Sequence, residues 1–403
     1  MEERLYKVKY SSLILSFLCL LLISLPHLGQ RINNIIKLNL EIILILLVAI
    51  KYKFTTDALK KCVYICSLFI AMCLSTFFYY GISSRFLNTM ITAGAYILFY
   101  LIIALFSKKY SYEYVMAIIN KNIIIYMLIL DIFVILTLGF GLRGRGIGGI
   151  IDESVYLLGN KFITSYIHML VLAFVNQQRY RVLSKRTKIY RIVILLLYSL
   201  IICKLMDTTT GMIGCILVAT IQTIITYKPR FIHFLSHPLV VLIFFFSINI
   251  IFLLTDFVLN NDFFTSFLLS KSHTSTILSG RVAMYNISME AIAKNPIWGY
   301  GINYDIVRTT LSFGNAQNGL LKMLMDYGVI GTIMFTLVLF TTFKNAYKTN
   351  DNNRKAGSIA FIYAMLFCSL VEINLTSIFM LICAFLNSMS SVNNKMICFT
   401  KNN

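Results

Sequence analysis

Three of the four arginines in the two long polar interruptions of an otherwise apolar chain stand beside glycines. Arg143 and Arg145 lie in the glycine-rich stretch GLRGRGIGG, and Arg281 follows Gly280 at the head of a patterned segment. A guanidinium keeps its charge at physiological pH and presents a planar fork that matches paired phosphate oxygens, so these residues are natural ligands for a diphosphate. The glycines would let backbone N–H groups approach the same anion. The competing reading for Arg143 and Arg145 is that both side chains extend to lipid headgroups while the glycines loosen a turn. Arg281 is read as functional because it heads the most structured polar segment. Asp131 and Glu372 fall inside apolar stretches, where a charge costs roughly 2.5–3.5 kcal/mol on insertion scales; they are expected to face a polar cavity, to pair with one another, or to lie nearer a helix end. Histidine offers little: His233 and His237 are four apart beside Pro238, with no acidic third ligand nearby, so no metal site is expected. There is no Asp-x-Asp sequence and no phosphate-binding P-loop, which leaves a metal-held nucleotide sugar without support. No cofactor is expected.

These residues must be positioned by membrane helices. Of 403 residues, 58% are hydrophobic and 13% charged, which excludes an ordinary soluble domain. A helix crosses the hydrocarbon core with about 20 mostly apolar residues. Twelve stretches qualify, near 11–29, 35–50, 62–80, 89–106, 122–140, 158–175, 192–206, 210–226, 238–257, 328–343, 356–373 and 375–391. The runs are uniformly apolar, without the alternation of a strand barrel. The expected fold is therefore all-α, a polytopic transmembrane helix bundle of about twelve helices. Lys and Arg gather on the cytoplasmic side of membrane proteins. With both termini inside, 24 of the 36 basic residues fall in cytoplasmic segments. The net charge of +20 is thus a topology signal, and it calls for no nucleic acid. No structural disulfide is expected, because the nine cysteines lie within helices or on the inner side. The first apolar run lacks a small-residue cleavage site and is read as a retained helix.

Helices one to nine and their short loops occupy 1–257, a large extracytoplasmic loop 258–327, and helices ten to twelve with a cytoplasmic tail 328–403. Within the loop, Ser279 is a candidate N-cap. Val282, Tyr285, Met289 and Ile292 form an apolar stripe after it, with Glu290 and Lys294 at i,i+4 on the opposite face. Pro296 and Gly299 end this helix. A second helix is expected from near Asn315, with Leu320, Leu321 and Leu324 on one face. Two such amphipathic helices lying at the membrane surface would roof the bundle.

This loop resembles the bacterial O-antigen and capsular polysaccharide polymerases of the Wzy type, which share a domain with the O-antigen ligases. The matching residues are Gly280-Arg281, the segment Asn295-Pro296-Ile297-Trp298-Gly299-Tyr300-Gly301, and Ala316-Gln317-Asn318 followed by Leu320, Leu321, Asp326, Gly328, Ile330 and Gly331. The resemblance implies glycosyl transfer between undecaprenyl-diphosphate-linked oligosaccharides at the outer face of the bacterial plasma membrane. It implies membrane lipids, a chain-length regulator and a flippase as partners. It gives Arg281 to the diphosphate, with Arg143 or Arg145, and Gln317 and Asn318 to a sugar hydroxyl. Trp298, Tyr300 and Tyr304 would stack on sugar rings, with interfacial anchoring as the competing role. The family commonly has His where this chain has Gln317, and glutamine cannot take a proton at neutral pH. Either no base is needed, or Asp305, Asp326 or His273 serves; the substitution also tilts the reading from ligase towards polymerase. A ligase or a lipid-linked oligosaccharide transporter is the alternative, although the chain lacks the repeated halves common in transporters.

Overall fold

A computed structural model describes residues 2–23, 25, 29–52, 54–143, 154–177, 183–259, 275–311, 316–349 and 351–389. Each of the twelve apolar stretches carries a helix. In chain order they are α1 (Glu2–Leu20), α2 (Gly29–Lys51), α3 (Thr56–Tyr80), α4 (Ser84–Lys109), α5 (Tyr112–Leu136), α6 (Lys161–Phe174), α7 (Lys185–Leu205), α8 (Thr209–Tyr227), the short α9 (Phe231–Ser236) and α10 (Pro238–Leu259). After them come α11 (Ser275–Lys294), the short α12 (Ile306–Leu311), α13 (Gly319–Tyr347), α14 (Asn352–Cys368) and α15 (Ser377–Ser388). The chain is an all-α, multi-pass membrane protein; among the described residues, six helices are long and apolar enough to cross a bilayer and four more are shorter and apolar. Side-chain caps fix several starts: Thr55, Ser83, Ser111, Asn160 and Ser184 each accept a hydrogen bond from a first-turn backbone N–H.

Burial divides the helices into two kinds. α6, α14 and α15 are buried along nearly their whole length, and α4 over most of it, whereas α2 is largely open to its surroundings. Close approach uses small residues: a Cβ on Gly357 of α14 would sit 1.8 Å from the Ala173 carbonyl of α6.

The polar stretch after α5 contains a small antiparallel sheet in place of a loose turn. β1 (Leu142–Arg143) pairs with β2 (Ser154–Tyr156), and β2 with β3 (Gly159–Asn160). The Tyr156 hydroxyl ties the sheet to the end of α5 by donating to the Gly139 carbonyl at 2.6 Å.

Asp131 finds partners on α6 and α7. Asp131 accepts from Tyr198 at 2.6 Å and bonds the buried His168 ring at 2.8 Å, with Ser199 at 3.2 Å on the other ring nitrogen. This contact clamps α5, α6 and α7. Glu372 lies in the connection between α14 and α15 rather than inside a helix.

The two loop helices differ from expectation in placement. α11 begins at Ser275, before Ser279, and buries Met284, Tyr285, Ser288 and Ala291, while Met289 is exposed. Glu290 and Lys294 do pair at 2.7 Å. The second helix begins after Asn318 and is continuous with helix ten, broken only at Gly328, whose backbone is non-helical (φ 61°, ψ −164°). Its arm, 319–327, is tied at both ends to the helix bundle. At 1.5 Å per residue the arm is about 13 Å long. Near its Gly328 end, Ser75, nineteen residues into α3, donates to the Asp326 carbonyl at 2.6 Å. At its start, Asn318 donates to Asn249, only eleven residues into α10. These contacts tie the arm to α3 at one end and to α10 at the other.

Candidate functional site

The segment Pro296–Gly301 is interlocked with the kink of α13. In an unbroken helix the Val329 and Ile330 N–H groups would bond the Met325 and Asp326 carbonyls. Here Val329 N–H donates to the Pro296 carbonyl at 2.8 Å and Ile330 N–H to the Ile297 carbonyl at 3.3 Å. The freed Met325 and Asp326 carbonyls accept from Tyr300 N–H at 2.9 Å and Gly301 N–H at 2.7 Å. This exchange needs glycine on both sides. Gly299 and Gly328 both have positive φ, and a Cβ on Gly328 would stand 2.2 Å from the Ile297 oxygen. The end of α3 completes the lock, since Thr76 Oγ1 accepts from Ile302 N–H at 3.2 Å.

The lock fixes the arm at its upper end, and Asn318 fixes it below. Asn318 is fully buried and its carboxamide is spent on protein. Its oxygen caps the arm by accepting from Leu321 N–H at 2.9 Å, and its amide donates to Asn249 Oδ1 at 3.1 Å and to the Leu370 carbonyl at 3.2 Å. Asn318 is thus placed to hold its neighbour rather than to reach a ligand. That neighbour, Gln317, is half-buried with φ at 41°. The 369–376 connection is gripped from three sides: Gly319 N–H donates to the Ser369 carbonyl at 2.7 Å, and the Tyr285 hydroxyl of α11 joins Asn318 on Leu370 at 3.4 Å.

A second group gathers at the upper end of the arm. Tyr300 and Tyr304 stack at 4.0 Å with planes 10° apart, and Tyr79 meets both edge-on at 5.1 and 5.6 Å. Tyr300 is buried and its hydroxyl donates to the Ala291 carbonyl at 2.9 Å, so it supports the stack. Tyr304 is half-buried and Tyr79 exposed. Burial, with Tyr79 and Tyr300 adding, pushes the Tyr304 phenol up to about 12, so it is a neutral hydrogen-bonding group. Trp298 rests against Phe78 at 4.9 Å. Beneath the stack, Lys322 Nζ bridges Asp326 at 2.8 Å and the Tyr304 carbonyl at 2.9 Å. Asp326 also interacts electrostatically with Asp305. A small core of Met284, Tyr285, Ala291, Val307, Ala316, Leu321 and Met325 joins the two groups.

For Arg281 the structure gives its place only: α11, one turn before Tyr285 and on the same face by helical periodicity. Arg143 is the second residue of β1, opposite Ser154. Arg145 and His273 lie outside the described residues. Sequence reasoning missed Tyr79, Tyr80 and Arg85, whose guanidinium lies over the Tyr80 ring at 4.2 Å and bonds its hydroxyl. A cluster of four aromatics, Phe77 to Tyr80, at the end of an apolar run was the available signal. It also missed Asn249, a lone amide in an apolar helix, and His168.

No curated protein and no solved structure matches the chain. Residues 193–336, from α7 into α13, match the model of a family described as O-antigen ligase, and that stretch, with the lock and the arm in it, is similar to the O-antigen ligase superfamily.

Proposed function

We propose that this protein is a polysaccharide polymerase of the bacterial plasma membrane, joining undecaprenyl-diphosphate-linked repeat units at the outer face. The observation that carries the reading is the lock between Pro296–Gly301 and the α13 kink, which turns two weak sequence motifs into one device that sets the arm. The family match over the same residues supports it. A lipid diphosphate is already a good leaving group, so the protein's work is to hold its developing charge and to align the acceptor. Arg281, with Arg143 and Arg145, holds the diphosphate. Gln317 orients an acceptor hydroxyl, and Asn318 keeps Gln317 in place. Tyr304 and Trp298, joined by Tyr79 and backed by Tyr300, form the sugar platform, with Asp305 bonding sugar hydroxyls at its edge; Asp326, expected from the sequence to bind sugar, is buried against Lys322 and supports the platform from within. The scheme is metal-independent. A chain-length regulator and a flippase are the partners this reading calls for.

The description of the matched family favours a second reading, a ligase that moves finished polysaccharide to a lipid acceptor. One assay separates them: purified protein, a lipid-diphosphate-linked repeat unit, chelator present and no nucleotide sugar. A ladder of increasing repeat number supports the polymerase. Transfer only to an added lipid acceptor supports the ligase, and unchanged substrate with folded protein overturns both.

A further inference from the structure

A polymerase whose Gln317 cannot accept a proton leaves the acceptor hydroxyl without an evident base. The rival carboxylates are badly placed. Asp326 is bound to Lys322 and sits nine residues from Gln317, about 13 Å along the arm; Asp305 belongs to that same upper group. The lower end of the arm is instead joined to the 369–376 connection, through Gly319 to Ser369 and through Asn318 to Leu370. Glu372 is two residues further on and half-buried.

The connection is built as a polar break at depth. α14 has 17 residues, about 25 Å of helix, against a hydrocarbon core of about 30 Å. With Arg354 and Lys355 on the inner side, as the distribution of basic residues has it, the chain leaves α14 inside the outer part of the membrane. Non-helical backbone at such depth is tolerated only where protein buries it or where it lines a cavity. Asn374 Oδ1 and Thr376 Oγ1 are buried there without a hydrogen-bond partner among the described residues. Tyr166 of α6 and Cys368 both lie within the electrostatic reach of Glu372. Residues 371–373 are only partly covered. Arg281 is placed one turn from Tyr285, whose hydroxyl bonds the same Leu370 carbonyl. The connection lies beyond the stretch matched to the ligase family.

We infer that Glu372 is the base of the transfer reaction, facing the acceptor hydroxyl that Gln317 orients; this rests on the polymerase reading above. As the hydroxyl oxygen bonds the anomeric carbon, its proton passes to the Glu372 carboxylate. The bond from that carbon to the phosphate oxygen breaks, and the lipid diphosphate leaves with the electron pair. The proton then returns to solvent.

Glu372→Gln keeps size and hydrogen bonding but removes the base, and Glu372→Asp keeps the base on a shorter stem. With the lipid-diphosphate-linked repeat unit as probe, donor binding is followed by native mass spectrometry and product by gel. Glu372→Gln should bind donor as the native protein does and lose roughly 100-fold or more of its ladder formation, with Glu372→Asp retaining part. A Glu372→Gln ladder within about threefold of native overturns the inference and leaves the polymerase reading intact. Loss of donor binding in both variants also overturns it, by making Glu372 structural. A native protein that forms no product overturns both.

Discussion

Replacing Gly328 by alanine should unlatch the arm, and a second glycine supplies the control. Gly328 (φ 61°, ψ −164°) and Gly81 at the end of α3 (φ 57°, ψ −152°) share nearly the same backbone conformation. An alanine there carries strain of about 1–3 kcal/mol. Around Gly81 a Cβ meets nothing within 4 Å, whereas at Gly328 it stands 2.2 Å from the Ile297 oxygen and 2.8 Å from Gly299 N. The Gly328 variant must therefore push the Pro296–Gly301 segment away, adding roughly 1–3 kcal/mol of overpacking. It also weakens the bonds from Val329 and Ile330, at about 0.5–1.5 kcal/mol each. Gly81→Ala should cost about 2 kcal/mol and Gly328→Ala about 4–6 kcal/mol. Denaturant titration of the purified proteins in one detergent measures the difference, and ladder formation should survive the first change and not the second. Equal destabilisation by the two would mean that the exchange of backbone hydrogen bonds does not hold the arm, and the reasoning would fail.

Arg281→Ala should abolish most polymer formation with membrane insertion intact, and Arg281→Lys should rescue only part because a point charge cannot make the bidentate contact; normal product ladders from the alanine variant would remove Arg281 from the site. Gln317→His should be tolerated, since His adopts positive φ more readily than most residues and still bonds a hydroxyl, while Gln317→Leu should not; equal ladder yields from the two would refute this. Asn318→Ala should destabilise by about 1–3 kcal/mol, and Asn318→Asp by more, because a carboxylate would face the Asn249 and Leu370 oxygens; unfolding curves that place Asp between Asn and Ala would reduce Asn318 to a helix cap. Tyr304 is raised from 10.0 to about 12, so as pH climbs the unfolded chain loses this proton first. Its contribution is complete below about pH 10 and fades towards 12, and Tyr304→Phe should flatten that alkaline loss in a stability-against-pH series.

The sequence by itself determined the helices, because a bilayer leaves uniform apolar runs of sufficient length no other stable backbone, and its basic residues set the orientation to expect. It also brought Arg281, Gln317 and the Pro296–Gly301 segment to notice, since unusual residue types in a polar loop are visible without coordinates. It did not distinguish buried helices from lipid-facing ones: α2 and α4 are both apolar, and lipid and protein interior ask for the same side chains. Tertiary structure decided that difference, the pairing of Asp131 with His168, and the anchoring of the arm. The last of these depends on backbone hydrogen bonds exchanged between Pro296–Gly301 and Met325–Ile330, partners that every residue carries alike. A helical period in 319–327 looks the same whatever the helix packs against. Only the contacts at its two ends, Ser75 at one and Asn249 and Leu370 at the other, fix its place and bring Gln317 to the connection that carries Glu372.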